Sequence, residues 1–127
     1  MPIRYSIDEN LGVVFTTASE VLTENELLEH KRKMISDPKF RPGYVELSDV
    51  REISDVKISS SGIERFVEQD ASDAELLKDY KLAIVVSGAL EYGMGVMYQM
   101  MSSEHRRSVR IFRDLGLAKE WLQISQK

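Results

Sequence analysis

The side chains able to do chemistry are scattered along this sequence. Ser59-Ser60-Ser61-Gly62 stands directly before an apolar stripe at Ile63, Phe66, Val67 and Ala71, the pattern of a helix entered through serines. A serine there caps unpaired backbone N–H groups. Ser60 and Ser61 are also candidates for phosphorylation or for anion binding at the helix start. Ser61 with Glu64 has capping-box spacing. Asp49 and Arg51 follow the apolar alternation of Val45 and Leu47, so they are expected just past the carboxyl end of a strand, where open α/β sheets bind ligands. A local ion pair is the plainer role for them. Tyr92, Met94 and Met97 lie after a second strand and are candidates for contact with a ligand or partner.

Other chemistries find little support. Gly88, Gly93 and Gly95 match neither the dinucleotide nor the P-loop spacing. Gly93 is expected to serve close helix–sheet packing, and Gly95 to lie on the polar side. His30 and His105 are isolated, and there is no cysteine, so neither a metal cluster nor a catalytic triad is indicated. His30 reads as an exposed helix residue. No catalytic residue and no cofactor is assigned.

These residues need a scaffold, and the stretch from Tyr80 to Met101 anchors it. Leu82 to Val86 is apolar throughout, as in a strand covered on both faces. After Ser87-Gly88, Leu90, Met94, Met97 and Met101 recur on one face of a helix. That stripe reads as core, or as the wall of a pocket or interface. Before it, Ile3, Tyr5 and Ile7 alternate with polar residues, and Asp8-Glu9-Asn10 turns the chain into a second strand from Leu11 to Thr17, giving an antiparallel hairpin. Thr23 and Glu26 form a capping box for a helix carrying Leu27, Leu28, Met34 and Ile35, with Glu29 and Lys33 paired on another side. Asp37-Pro38 ends it. Tyr44 to Ser48 is a third strand, followed by a loop from Asp49 to Ile58. Val109 and Ile111 mark a last strand, and Asp114 caps a final helix with Leu117, Ala118, Trp121 and Leu122 inward. The order is ββαβαβαβα, with strands after the hairpin joined in parallel through right-handed crossovers.

This order resembles the SpoIIAA-like (STAS-like) α/β fold of small, mostly uncharacterised bacterial proteins. The likeness is carried by Leu47-Ser48-Asp49-Val50-Arg51, the strand Leu82 to Val86, Tyr92-Gly93-Met94, and the ending Phe112-Arg113-Asp114 with Ala118 and Trp121-Leu122. It implies residues 1–127 as one α/β domain: a five-stranded mixed sheet in order 1-2-3-4-5, strand 1 antiparallel, with about four helices. In anti-sigma-factor antagonists of the STAS type a serine in Asp-Ser-Ser-Gly is phosphorylated. The matching segment here is Ser59-Ser60-Ser61-Gly62, with serine in place of the aspartate and a longer loop before it. The resemblance implies a non-catalytic regulatory or protein-interaction module. A carrier of a small apolar ligand or lipid is the alternative, and an enzyme at the strand ends a distant third.

The composition fits a soluble, folded chain: 127 residues, 43% hydrophobic and 30% charged, with a net charge of −4. An acidic balance argues against nucleic acid as a partner. Glu64 to Asp79 holds six acids and two bases, whereas His105 to Arg113 holds four arginines and no acid. No secretory signal and no apolar run long enough for a membrane span is visible, so a cytoplasmic location is expected. A homodimer is expected as well. Crossovers that always step the same way place every helix on one face of the sheet. On the central strand Leu82, Ile84 and Val86 oppose Ala83 and Val85; on strand 2 Val13 and Phe15 oppose Val14 and Thr16; on strand 5 Val109 and Ile111 oppose Arg110 and Phe112. Whichever set then faces outward, large apolar groups stay without a helical cover, the alternative being that one helix crosses to the second face.

Overall fold

The computed structural model describes residues 3–72, 80–103 and 108–124. Strands β1 (Ile3–Asp8), β2 (Val13–Thr23), β3 (Val45–Lys57), β4 (Lys81–Val85) and β5 (Ser108–Phe112) form one sheet in the order β1-β2-β3-β4-β5. β1 is antiparallel to β2 and the remaining pairs are parallel. Helices α1 (Glu24–Ser36), α2 (Ser60–Ser72) and α3 (Ala89–Ser103) form the crossovers, and α4 (Leu115–Leu122) follows β5.

The local signals explain most of these boundaries. Asp8 turns the hairpin by accepting from the N–H groups of Asn10 and Leu11, and Gly12 closes it at φ 69°, a left-handed conformation that glycine takes without Cβ strain. Thr23 and Glu26 make the reciprocal capping box of α1, and Glu29 pairs with Lys33 at 3.5 Å. Asp114 caps α4 by accepting from Leu117 N–H at 3.1 Å.

The loop expected at Asp49 to Ile58 is instead strand, because β3 runs on to Lys57 beside a β2 that runs on to Thr23. Twice along this ribbon β3 spends an extra residue against β2: Thr17 and Ser19 face Asp49 and Glu52, then Glu20 and Val21 face Ile53 and Asp55. Each bulge shifts the alternation by one residue. The apolar positions Val50, Ile53 and Val56 therefore fall three apart, a spacing that conceals a strand. Glu20, at φ 62°, lies at the second irregularity.

One face of the sheet packs on α1, α2 and α3, with Val14, Leu82 and Val109 meeting Met34, Ile63, Phe66 and Tyr98. The other face is not bare of helix. α4 doubles back across it, and Ala118 and Leu122 pack on Leu47, Ala83 and Val85, with Phe15, Phe112 and Trp121 around them. The expectation that every helix shares one face is corrected accordingly. It counted only crossovers, and a C-terminal helix after the last strand is free of the crossover rule. Leu117, expected inward on α4, is 56% exposed, and Leu115 joins the core from the first turn instead.

The α3 glycines exchange their expected roles. Gly95 is the buried one, and a Cβ there would lie 2.8 Å from Ile111 Cδ1, so α3 approaches β5 closely through it. Gly93 is exposed, and a Cβ there would meet nothing within 4 Å. Gly93→Ala should thus stabilise the protein by about 0.5–1 kcal/mol through helix propensity. Gly95→Ala should lose that gain or turn it into a loss, because Ile111 must move. Thermal unfolding of the two variants checks the contrast.

Candidate functional site

Between the sheet and helices α1–α3 lies a cavity of about 110 Å³. Its walls are mostly apolar: Leu82 and Ile84 from β4, Ile63 and Phe66 from α2, and Met94 and Tyr98 from α3. Leu22, Val50, Ile53 and Val56 extend it along the bulged β2–β3 ribbon. This is several times the room one water needs and is of the order of cavities that hold a benzene-sized molecule.

Polar side chains gather in the wall where α1 crosses the sheet. Glu46 of β3 is buried at 3% exposure. Its Oε2 accepts from Thr16 Oγ1 at 2.6 Å and from His30 Nε2 at 3.2 Å. Its Oε1 accepts from the Tyr80 hydroxyl, and Lys31 Nζ lies 3.8 Å away. Lys31 is 1% exposed, and its ammonium also sits over the rings of Tyr80 and Phe66, at 4.9 and 5.4 Å from their centroids. Burial pushes the Glu46 carboxyl up, but the hydrogen bond from His30, the charge of Lys31 and the Thr16 hydroxyl outweigh it and hold the group at about 2. Glu46 is ionised at neutral pH.

Sequence reasoning missed this cluster. His30, expected exposed, is 8% exposed, and Glu46, which alternates with Val45 and Leu47 in the manner of an outward polar residue, is 3% exposed. A signal was present. On α1, positions 30 and 31 fall between Leu27 and Met34 at helical spacing, so a histidine and a lysine occupy the apolar stripe itself. A carboxylate is then required among the inward positions of a central strand.

The residues singled out from the sequence are distributed differently. Met94 lines the cavity. Met97 lies on α3, and its side chain is outside the described residues. Asp49 and Arg51 form a two-pronged ion pair, Nε to Oδ1 at 2.9 Å and Nη2 to Oδ2 at 2.7 Å. The side-chain hydrogen bond from Arg51 is the main reason Asp49 sits below the usual carboxylate range. Ser87 Oγ donates to the Arg51 carbonyl, Arg113 donates to the Ser87 carbonyl, and Arg113 lies 4.7 Å over the Tyr92 ring. Asp49 and Arg51 therefore lie within β3 and not past its end as expected, because β3 runs on beyond the last residue of β4, which Asp49 faces; Ser87, Tyr92 and Arg113 join them there, apart from the cavity lining. His105 and the arginines at 106 and 107 fall outside the described residues.

At the start of α2, the expected Ser61 cap is replaced by Ser59, whose Oγ accepts from Gly62 N–H at 3.1 Å. In a capping box the residue at Gly62 would be a glutamate reaching back to the cap N–H. Here Glu24, from the first turn of α1, supplies that carboxylate, and Ser59 donates to its Oε1 from both N–H and Oγ at 2.7 Å. A Cβ on Gly62 would run into the Glu24 side chain. Arg65 closes the pair on the other oxygen. The Ser59 N–H, then its hydroxyl and Arg65, hold the Glu24 carboxyl below its ordinary value. Ser60 and Ser61 are exposed beside this carboxylate.

A solved structure shares this architecture: an uncharacterised protein of the DUF3478 family with a SpoIIAA-like fold, from Shewanella loihica PV-4. It is 18% identical over 94% of this chain and 93% of that one, with a TM-score of 0.62. No protein-family model matches the chain, and no curated protein does. The fold is therefore SpoIIAA-like, as the order of elements implies. Among the described residues no helix is long and apolar enough to cross a membrane, and no group of side chains has the makings of a metal site.

Glu46 fixes a clear expectation for stability. Its folded value of about 2 lies below the ordinary 4.5, so its contribution is present above about 4.5 and is lost as pH falls towards 2. Glu46→Gln should cost about 3–5 kcal/mol at neutral pH, because it removes one charge of a buried pair with Lys31 and disturbs the donors that converge on the carboxylate. Adding Lys31→Met should recover much of that loss. Denaturant unfolding of the single and double variants at pH 7, repeated down to pH 2, checks both the cost and its disappearance in acid.

Proposed function

We propose that this chain is a non-catalytic binding protein for a small, largely apolar molecule, held between the sheet and helices α1–α3. The observation that carries the reading is the cavity: apolar walls drawn from six elements, with a few fixed polar groups at one side, the usual make-up of a small-molecule site. Met94 supports it from the lining, as an adaptable, polarisable contact.

The regulatory or interaction-module reading has its support on the surface, in the Asp49–Arg51 pair and the stacked Arg113 and Tyr92. The phosphoacceptor role of Ser60 or Ser61 is the weaker part of that reading, because a phosphate there would meet the Glu24 carboxylate that already serves the helix start. Intact-mass measurement of protein from its host should find no stoichiometric phosphate. A homodimer keeps a narrower basis now that α4 covers much of the second sheet face.

Methyl-resolved NMR tests the binding reading. Titration with benzene should shift the methyl resonances of Ile63, Leu82 and Ile84, which line the cavity. Val50→Phe, which projects a ring into the same space, should abolish those shifts while the variant stays folded. Shifts confined to other methyls, or equal binding by Val50→Phe, would contradict it.

A further inference from the structure

The strand that carries Glu46 places one more polar group on the cavity face. Ser48 is two residues on from Glu46 in β3, so its side chain leaves the strand on the same side. Across the sheet it stands between Thr16 of β2 and Ile84 of β4, and it lines the cavity with Ile84, Val50 and Met94. The Thr16 hydroxyl beside it is spent on Glu46 at 2.6 Å. The Ser48 hydroxyl makes no hydrogen bond to any of the described residues. It is reachable as the wall stands. Ser48 is half-buried, and its Oγ is not among the covered polar atoms, whereas Nδ1 of His30 is.

A hydroxyl in such a place wants a partner from the cavity. Its neighbours on this face, Val50 and Ile84, are branched and apolar, the side chains a covered strand prefers. A serine among them gives up hydration and contributes little to packing, a loss that a hydrogen bond offsets. A lone water serves poorly, because a buried water is held by about three hydrogen bonds. The nearest oxygens along the strand, those of Glu46, are already taken by Thr16, His30 and Tyr80. An ion fits no better. Glu24 and Glu46 both line the cavity, Glu24 paired with Arg65 and Glu46 beside Lys31. An anion would meet two carboxylates, and any ion would exchange its hydration for one neutral hydroxyl.

We infer that the molecule held in this cavity has a compact apolar body and one uncharged oxygen, a hydroxyl or a carbonyl, hydrogen-bonded to Ser48 Oγ; the inference rests on the cavity being a binding site. A serine hydroxyl both donates and accepts, so it serves either group. Ser48 is then the residue that selects an oxygenated ligand over a hydrocarbon of the same shape. The fold itself does not need this hydroxyl, since it bonds nothing within the described protein.

Calorimetric titration at neutral pH of phenol, cyclopentanone, toluene and benzoate into the protein and into Ser48→Ala tests the inference. Phenol and toluene share a shape and differ in the oxygen. Ser48→Ala should weaken phenol, cyclopentanone or both about tenfold, the equivalent of one net hydrogen bond, and leave toluene unchanged or tighter. Benzoate should bind the unaltered protein more weakly than phenol. The melting temperature of unliganded Ser48→Ala should match or exceed that of the unaltered protein; a clear fall would give the hydroxyl a structural role and overturn the assignment. On the unaltered protein, bound phenol should show nuclear Overhauser contacts to the Ser48 β-protons, and binding without them would also overturn it. Equal weakening of phenol, cyclopentanone and toluene, no weakening of any, or benzoate binding more tightly than phenol would overturn the inference while leaving the cavity as a site. Binding of none of the four probes, toluene included, would remove both.

Discussion

A buried negative charge on β3 organises this molecule. Glu46 would be costly to bury alone, and it is tolerated because donors converge on it from β2, from α1 and from the residue that leads into β4. Each donor is therefore fixed in turn. His30 and Lys31 set the rotation of α1 against the sheet, and Tyr80 sets the entry into the central strand. The same rotation turns Leu27 towards the cavity and Met34 into the core. A hydrophobic stripe alone would hold α1 less specifically, since apolar contacts are non-directional. The polar cluster and the cavity are thus parts of one arrangement, in which the carboxylate defines the helix position and the helix position leaves the space.

The sequence made the scaffold legible and the site largely illegible. The hairpin, the strand order, the Thr23 and Asp114 caps and the Glu29–Lys33 pair all follow from short-range rules acting within a few residues. What stayed hidden depends on partners far apart in the chain. Glu46 gives no local sign that it will meet Thr16 and Tyr80, which lie 30 and 34 positions away. β3 hid its second half through its two bulges, which replace the period of a strand with a spacing of three. Gly93 and Gly95 are separable only once the distance between α3 and Ile111 is fixed.

The start of α2 shows the same dependence on distant partners. Capping residues usually come from within the helix, yet the N–H and hydroxyl of Ser59 are satisfied by Glu24 across 35 positions, and Gly62 exists there as the space for it. Glu24 and Gly62 also line the cavity. The contact that ties α1 to α2 is therefore part of the cavity wall, and two of the three helices that bound the space are joined at their N-terminal ends by an anion of the chain's own. That placement is what turns the serine segment from a candidate phosphate site into a structural joint.

The central claim is that the space beside Glu46 is a true apolar binding cavity. Xenon enters such cavities under modest pressure without needing any polar contact. A crystal of the protein pressurised with xenon should show an anomalous peak between Leu82 and Ile84 on the sheet and Ile63 and Phe66 on α2, the residues that line the cavity. A peak there, with the Glu46 cluster undisturbed, is the result the account predicts. An empty site at a pressure that fills apolar cavities elsewhere, or side chains collapsed into the space, would contradict it.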